Sequence, residues 1–249
     1  MPNHLTLITG ASRGLGRAMA VQRLREGHHV LTLARRPDAA LAAPDGGLLE
    51  QWSVDLGDPL DAARRLEHWL GALDAHRFAS ATLINNAALL TPPGPIGAAD
   101  AAALSAALRV GLEAPVLLTR AFVHATDGWA AQRKVLNVSS GLGRFAMAGS
   151  APYCAVKAGL DHFSRALALD EALKANGARV VSLAPGVIDT DMQVQLRGAD
   201  PGVFPDRERF AQLKAGGQLA SPEAAAARVL AWLDRADFGA QPVADVRDA

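Results

Sequence analysis

The sequence predicts an α/β fold, in which a parallel sheet of about seven strands is covered by helices on both faces. Three observations support this prediction. Short apolar segments alternate with segments of helical periodicity along the whole chain, which is the pattern of parallel strands joined by helices. The first strand segment runs into a glycine-rich turn that opens a helix. Half of the 249 residues are apolar, which suits one doubly wound domain spanning residues 1–249.

The first half of the chain predicts four strands, at residues 5–9, 30–33, 48–55 and 81–84. A helix follows the glycine turn to about residue 26, where Gly27 ends it. A second, amphipathic helix begins at Asp58-Pro59 and extends to about residue 73. The Pro-rich residues 91–95 form a loop. Helical pattern resumes from 98 to 125, as two helices or as one helix kinked near Pro115.

The second half predicts strands at residues 134–138, 179–183 and 242–246. A long helix carries Tyr153 and Lys157 and runs to about residue 175. Residues from about 190 to 220 are polar and interrupted by glycine and proline, which is typical of a substrate lid or of a plain surface excursion. Ser221 and Pro222 then start a helix as N-cap and first helical residue, and this helix extends to about residue 233.

The glycine turn is a candidate phosphate site. Gly10, Gly14 and Gly16 lie between a strand and a helix, where free backbone N–H groups and the helix dipole favour an anion. Their spacing, Gly-x-x-x-Gly-x-Gly, differs from the commoner Gly-x-Gly-x-x-Gly. An ordinary strand-to-helix turn is the alternative, but three glycines at the end of a first strand favour a dinucleotide site.

The end of the second strand predicts which dinucleotide binds. An NAD site usually has an acidic residue there for the ribose hydroxyls, whereas this chain has Ala34 followed by Arg35 and Arg36. Arg13, in the glycine loop, is expected to face the same place. Guanidinium groups suit a phosphate, so we predict NADP(H) as the cofactor. The alternative is a solvated basic turn.

A candidate catalytic group follows the fifth strand. Tyr153 and Lys157 are four residues apart, so they share a helix face. A nearby ammonium is expected to lower the pKa of the phenol and make Tyr153 a proton donor or acceptor. The hydroxyl of Ser140, delivered by the strand end, is able to hold a carbonyl oxygen. Taken alone, Tyr-x-x-x-Lys is a weak signal, because most such pairs are surface neighbours.

Composition excludes several other functions. Lys+Arg and Asp+Glu are both 25, which gives no basic surface for nucleic acid. The apolar runs are too short for a membrane span, and the N-terminus has no signal-like pattern. The single cysteine, Cys154, excludes an intrachain disulfide and indicates a reducing cytoplasm. The seven histidines have no metal-ligand spacing, and no Gly-x-Ser-x-Gly elbow of a serine hydrolase is present.

These segments together resemble the classical short-chain dehydrogenases/reductases, over nearly the whole chain. The matching motifs are Thr-Gly-Ala-Ser-Arg-Gly-Leu-Gly at 9–16, Asn-Asn-Ala at 85–87, the Ser140, Tyr153 and Lys157 set, and Pro-Gly-x-x-x-Thr at 185–190. The resemblance implies a Rossmann-type sheet and hydride transfer between a dinucleotide and a carbonyl or alcohol carbon. It implies that Tyr153 protonates the carbonyl oxygen, that Lys157 binds the nicotinamide ribose and lowers the Tyr153 pKa, and that Ser140 positions the carbonyl.

The resemblance also extends the predicted cofactor site. It implies that Asp55 contacts adenine, that Asn86 and Ala87 line the adenosine ribose, and that the turn at 185–190 holds the nicotinamide. With the residues derived above, the expected cofactor contacts are Gly10, Ser12, Arg13, Gly14, Leu15, Gly16, Arg35, Arg36, Asp55, Leu56, Asn86, Ala87, Ala88, Tyr153, Lys157, Pro185, Gly186, Val187, Ile188 and Thr190.

Two positions depart from the family pattern. The family usually has Asn-Asn-Ala-Gly, and here the fourth residue is Ala88. The family also usually carries an asparagine in the helix before the serine strand, where this chain has Gly111. Because glycine keeps the backbone carbonyl and loses the side chain, we expect a retained but altered proton relay.

The chain is most similar to sepiapterin reductases and their bacterial benzil-reductase-like relatives, in residues 9–17, 183–192 and 213–248. This similarity implies an NADPH-dependent reductase of activated carbonyls such as diketones. Asp245 falls where sepiapterin reductases keep a pterin-binding acid, so Ser140, Tyr153 and Asp245 are the expected substrate contacts; a solvated acid is the alternative for Asp245. A 3-oxoacyl or simple alcohol dehydrogenase, and a non-catalytic NADP-binding scaffold, remain as alternatives. A homodimer, or a tetramer, is expected from the family.

Overall fold

The computed structural model describes residues 3–248, so positions 1, 2 and 249 of the predicted domain lie outside the described residues. In this described part of the chain, seven parallel strands form one sheet in the order β3-β2-β1-β4-β5-β6-β7. This confirms the predicted α/β fold. The strands are β1 His4–Thr9, β2 His29–Ala34, β3 Leu48–Ser53, β4 Ser80–Asn85, β5 Gln132–Val138, β6 Arg179–Ala184 and β7 Val243–Asp245.

Within residues 3–248, eight α-helices join or follow the strands. They are α1 Gly14–Arg25, α2 Pro59–Gly71, α3 Ala101–Leu108, α4 Ala114–Ala125, α5 Ala151–Ala172, α6 Asp191–Arg197, α7 Arg207–Ala215 and α8 Pro222–Leu233. The predicted start of α8 is confirmed, because the Ser221 hydroxyl accepts the Ala224 N–H at 3.2 Å.

Apolar side chains fill the space on both faces of the sheet. On one face, α1 and α8 pack together, and Met19, Leu24, Val229 and Leu230 are almost fully buried there. On the other face, α2 packs against α4 around Leu66, Leu118 and Phe122. Burial on both faces explains why the strands read as continuous apolar runs rather than as alternating ones.

The strand order places the candidate site. β1 pairs with β2 on one side and with β4 on the other, so the chain direction across the sheet reverses at β1 and β4. In open parallel sheets, ligands bind at the carboxyl ends of the strands beside such a reversal. The loops after β1, β4, β5 and β6, which carry most of the predicted site residues, therefore share one edge of the sheet.

The predicted kink in the 98–125 helical region is a π turn. Residues Arg109–Glu113 form this turn between α3 and α4, and Pro115 lies just after it in the first turn of α4. A π turn adds one residue to the helix repeat, which changes the facing direction of the helix without a break.

The combined helix Ala101–Ala125 passes a length and composition test for a membrane span, with a mean hydropathy of 1.5. The expectation that the apolar runs are too short is wrong for this helix. Core helices of sheet proteins pass the same test, and Ala114, Leu118, Ala121 and Phe122 are fully buried against the sheet and α2. These contacts account for the apolar face of the helix.

Candidate active site

The glycine turn after β1 approaches the loop after β4 closely. Gly10 has φ +69°, and a Cβ atom added there would lie 2.8 Å from the Cα of Ala87. A Cβ at Gly16 would lie 2.5 Å from the side-chain nitrogen of Asn86. Any side chain larger than hydrogen would force the two loops apart, so both glycines are needed for this approach.

Hydrogen bonds hold the same two loops together. The Thr9 hydroxyl accepts the backbone N–H groups of Asn86 and Ala87 at 2.9 and 3.0 Å. The Asn86 side chain donates to the carbonyls of Thr9 and Gly10 at 2.9 and 3.2 Å. Asn86 therefore acts through its side chain as a brace under the glycine turn, and Ala87 and Ala88 remain half-buried at the rim.

The three predicted phosphate arginines lie on the surface, in different arrangements. Arg35 and Arg36 are exposed directly after β2. Arg13 instead forms an ion pair with Asp191 of α6 at 2.5 Å, so its guanidinium does not face the Arg35 and Arg36 turn in this structure. Spacing could not reveal this pair, because 178 residues separate its two members.

An acid that the sequence reasoning passed over lies near these arginines. Asp38 follows Arg36 by two residues and accepts a hydrogen bond from Arg17 at 2.6 Å. This contact lowers the pKa of Asp38. The carboxylate also accepts the Ala40 N–H. Because Arg17 and the Ala40 N–H already bind the Asp38 carboxylate, Asp38 does not neutralise the charges of Arg35 and Arg36.

The other predicted cofactor residues lie at the same edge of the sheet. Asp55 is exposed after β3, and its neighbour Leu56 is buried. The turn that follows β6 begins at the buried Pro185 and continues through Gly186, Val187 and Ile188 to Thr190. Thr190 reaches the glycine loop, because its Cγ2 lies 3.6 Å from where a Gly14 Cβ would be. Ser12 precedes α1, and Leu15 lies in the first turn of this helix.

Ser140, Tyr153 and Lys157 come together beyond β5. Ser140 follows the strand, its hydroxyl accepts the Leu142 N–H at 3.2 Å, and it lies near enough to the Tyr153 phenol to act on its pKa. The Lys157 ammonium lies 5.6 Å from the centroid of the Tyr153 ring. It donates a hydrogen bond to the Val138 carbonyl at the end of β5, at 2.7 Å. The structure therefore places a hydroxyl, a phenol and an ammonium beside one another.

The expected direction of the Tyr153 pKa shift is wrong for this structure. Burial raises the pKa of Tyr153 to about 12, and the neighbouring Ser140 hydroxyl only partly opposes this. Burial also lowers the pKa of Lys157 to about 8. Burial removes more solvation free energy from a phenolate than the Lys157 charge restores, because the ammonium donates its hydrogen bond to the Val138 carbonyl. Tyr153 is consequently a protonated phenol at neutral pH.

Gly111, one of the two departures, lies in the π turn against α5. A Cβ atom at Gly111 would lie 2.6 Å from Cγ1 of Val156, the residue directly before Lys157 on α5. The space for the family's asparagine is therefore filled from the other side by Val156. Spacing alone could not indicate this, because the two residues are 45 positions apart in the chain.

Asp245, the predicted substrate acid, is turned into a local ion pair. Its carboxylate is almost fully buried and accepts two hydrogen bonds from Arg247, at 2.8 and 2.6 Å. The Arg247 hydrogen bonds lower the pKa of Asp245. Arg247 thus engages both oxygens, so Asp245 would have to leave this pair to contact a substrate, and its predicted role stays a prediction.

The predicted lid contains helices that its composition did not predict. α6 and α7 lie in the range 190–220, and Phe204 between them is fully buried, stacked on Phe210 with ring centroids 5.8 Å apart. Lys214 of α7 pairs with Asp189 at 2.5 Å. The lid rests on the loop before α5, because a Gly149 Cβ would lie 3.3 Å from the Phe204 ring. Isolated apolar residues therefore supply the lid with a small core of its own.

The residues present fit a dinucleotide. The close approach of the Gly10 turn to Ala87 leaves backbone rather than side chains at the carboxyl edge of β1. α1 begins there at Gly14, and no acidic residue lies in its first turn to repel a phosphate. The exposed arginines after β2 lie at the end of the neighbouring strand. This edge therefore offers backbone N–H groups and guanidinium charges to the phosphates of a dinucleotide.

Comparison with known proteins gives consistent findings. Residues 4–200 match the profile of the short chain dehydrogenase family. A benzil reductase forming (S)-benzoin, from Bacillus subtilis (strain 168), is 35% identical over 232 residues and aligns with 93% of each chain. Sepiapterin reductase of Bos taurus is 32% identical over 248 residues, covering 94% of this chain and 91% of its own. A solved structure from Beutenbergia cavernae with NADP at low occupancy superposes with a TM-score of 0.79 and 28% identity, covering 99% of this chain and 96% of its own.

Proposed function

The chain belongs to the short-chain dehydrogenase family, and we propose that it is an NADPH-dependent reductase of activated carbonyls, with Tyr153 as the general acid. The single observation that carries this proposal is the convergence of Ser140, Tyr153 and Lys157 at the carboxyl end of β5, on the sheet edge that also carries the glycine turn. Similarity to benzil and sepiapterin reductases supports a diketone or a related activated ketone as the substrate.

When bound, a nicotinamide dinucleotide would supply the hydride for the carbonyl carbon. Tyr153 gives its phenolic proton to the carbonyl oxygen, and its raised pKa means that this proton is present throughout the neutral range. Ser140 donates its hydroxyl hydrogen to the same oxygen and fixes its direction. The charge on Lys157 favours the phenolate that remains and so helps Tyr153 to release its proton.

The residues that would hold the dinucleotide follow from the geometry. The N–H groups at the start of α1 and the glycine turn would take the pyrophosphate. Asn86 supports that turn through the Thr9 and Gly10 carbonyls. Arg35 and Arg36 would take the additional phosphate of NADPH, because both are exposed and the nearby Asp38 is held by Arg17.

The decisive experiment replaces Tyr153, the chain's single tyrosine. Tyr153→Phe is expected to lower kcat for a diketone such as benzil by roughly 10²- to 10⁴-fold, the usual contribution of a general acid. NADPH affinity, measured by nucleotide fluorescence, should stay close to that of the wild type. Phe163→Tyr, which adds a phenol elsewhere on α5, serves as the control. Unchanged turnover in Tyr153→Phe would refute the assigned acid.

A second experiment tests the cofactor. Arg35→Ala combined with Arg36→Ala removes two charge-assisted contacts, so we expect NADPH affinity to fall by roughly 10- to 100-fold, with NADH affinity unchanged. Arg165→Ala, an exposed arginine on α5, is the matched control. An unchanged ratio of NADPH to NADH affinity would contradict the NADP assignment.

The remaining expectations complete the proposal. The substrate is a small molecule, the compartment is the cytoplasm, and the active species is a homodimer or tetramer. Turnover of 3-oxoacyl thioesters in preference to diketones would favour the alternative dehydrogenase function. Tight NADPH binding with no turnover of any carbonyl, in either direction, would favour a non-catalytic scaffold.

A further inference from the structure

A buried carboxylate next to the candidate catalytic group has no role in the mechanism above. Asp161 lies one helical turn after Lys157 on α5 and is 1% exposed. One of its oxygens accepts the hydroxyls of Ser139 and Ser182 at 2.5 and 2.7 Å. Its other oxygen accepts the Nε–H of Arg144 at 3.3 Å. These three donors offset the cost of burying the charge.

Two of the three donors stand at the two ends of one short loop. Ser139 directly precedes Ser140, and Arg144 directly follows the 3₁₀ turn Gly141–Gly143. The loop is also closed internally, since Gly143 N–H donates to the Ser140 carbonyl at 3.0 Å. Asp161 therefore binds the residue before Ser140 and the residue that ends the turn after it.

The middle of the loop rests directly on α5. A Cβ atom at Gly143 would lie 2.7 Å from a carboxylate oxygen of Asp161 and 3.0 Å from the Lys157 carbonyl. Arg144 also donates to the Ala244 carbonyl of β7 at 3.0 Å, which fixes the far side of the loop. The loop is thus held against α5 with no space for another side chain.

We propose that Asp161 is the positioning residue for Ser140: its carboxylate holds both ends of the loop 139–144 against α5 and so sets the distance between the Ser140 hydroxyl and the phenol of Tyr153. The inference rests on the proposed function, because it assigns Asp161 an effect on turnover through Ser140. A purely structural role, in which Asp161 only joins β5, β6 and α5, predicts lost stability without a specific effect through Ser140.

A double-mutant cycle separates these two roles. Asp161→Asn keeps the shape of the side chain and removes its charge. Since a displacement of about 1 Å near the reacting groups can cost roughly 10²-fold in rate, we expect kcat to fall by about 10- to 100-fold, with NADPH affinity unchanged. In a Ser140→Ala background the same substitution should lower kcat by less than about threefold, because its effect passes through the missing hydroxyl. Equal losses in both backgrounds would overturn the proposal.

Ser182→Ala is the matched control, because it removes a hydrogen bond to the same carboxylate oxygen from β6 and leaves the loop contacts in place. Its kcat should stay within about threefold of the wild type. A loss as large as that of Asp161→Asn would favour the structural role and overturn the positioning role. If Asp161→Asn does not fold, Arg144→Gln, which releases one end of the loop, takes its place in the cycle, with the same expectations.

A crystal structure of Asp161→Asn, or of Arg144→Gln, gives a readout that does not depend on turnover. The loop 139–144 should move away from α5 and the Ser140 hydroxyl should leave the Tyr153 phenol. An unmoved loop would overturn the inference. A wild-type chain that reduces no carbonyl would refute the proposed function. A displaced loop in the variant would still support the inference that Asp161 holds the loop 139–144 against α5.

Discussion

The close contact between Gly111 and Val156 predicts that Gly111→Ala destabilises the protein when Val156 is present and stabilises it when Val156 is replaced by alanine. Gly111→Ala places a methyl group 2.6 Å from Cγ1 and 3.5 Å from Cγ2 of Val156. Carbon atoms at rest lie about 3.5–4.0 Å apart, so the overlap with Cγ1 is about 1 Å. Val156 cannot easily turn aside, because a β-branched side chain on a helix keeps one χ1 rotamer.

Two effects of opposite sign then compete. Overpacking of this kind costs about 1–3 kcal/mol of unfolding free energy. Replacing glycine by alanine inside a helix returns about 0.8–1 kcal/mol. The single variant Gly111→Ala should therefore be destabilised by up to about 2 kcal/mol, the difference between the two. Val156→Ala alone should cost about 2 kcal/mol, because two buried methyl groups are lost and a small cavity remains.

In the Val156→Ala background both Cγ atoms are absent, so only the stability gained by replacing glycine with alanine inside a helix remains. Gly111→Ala is then expected to stabilise the protein by about 0.8–1 kcal/mol. Urea unfolding of the four proteins, followed by far-UV circular dichroism, measures the cycle. Destabilisation by Gly111→Ala of equal size in both backgrounds would refute the steric argument. The same cycle shows that Gly111→Asn tests the altered proton relay only when Val156→Ala makes room for the asparagine.

Two further predictions concern single titrating groups. Because Tyr153 is the single tyrosine and burial raises its pKa to about 12, ultraviolet difference titration of the free protein should show no phenolate up to about pH 10; a midpoint below pH 9 would contradict this. His28 accepts or donates a hydrogen bond with Thr6 at 2.9 Å, and burial lowers its pKa to about 4 from 6.5, with Arg23 and His4 adding to the shift. The unfolded state therefore binds the extra proton between about pH 6.5 and 4, so up to about 3 kcal/mol of stability is present above pH 6.5 and is lost as the pH falls toward 4. His28→Asn should reduce the difference in thermal midpoint between pH 7 and pH 5, whereas the exposed His162→Asn should not; equal pH dependence in His28→Asn and wild type would count against His28.

The sequence predicts the fold well because its signals are local. A buried parallel strand is a continuous apolar run, and a helix start is a cap residue followed by proline, as at Ser221 and Pro222. Each signal lies within a few neighbouring residues, so strand count, order of elements and most boundaries follow from reading the chain. The lid is the exception, since its helices are stabilised by the burial of Phe204 rather than by local periodicity.

The site is less predictable, because its physical properties come from residues far apart in the chain. Spacing places Tyr153 and Lys157 on one helix face, but the direction of the Tyr153 pKa depends on burial, which spacing does not contain. The partner of Gly111 and the three donors to Asp161 are equally non-local. Whether the predicted residues act as assigned stays a prediction for the experiments above.

The ion pair between Arg13 and Asp191 bears on how a nucleotide enters. Its two side chains are 77% and 71% exposed, and such surface pairs contribute about 0–1 kcal/mol. A phosphate that recruits Arg13 must first displace this carboxylate from α6. The displacement weakens nucleotide binding by at most about fivefold, and it frees the first residue of α6 at the same moment. A phosphate that drew Arg13 away would therefore remove one contact between the glycine loop and the predicted lid, at a cost of no more than about 1 kcal/mol.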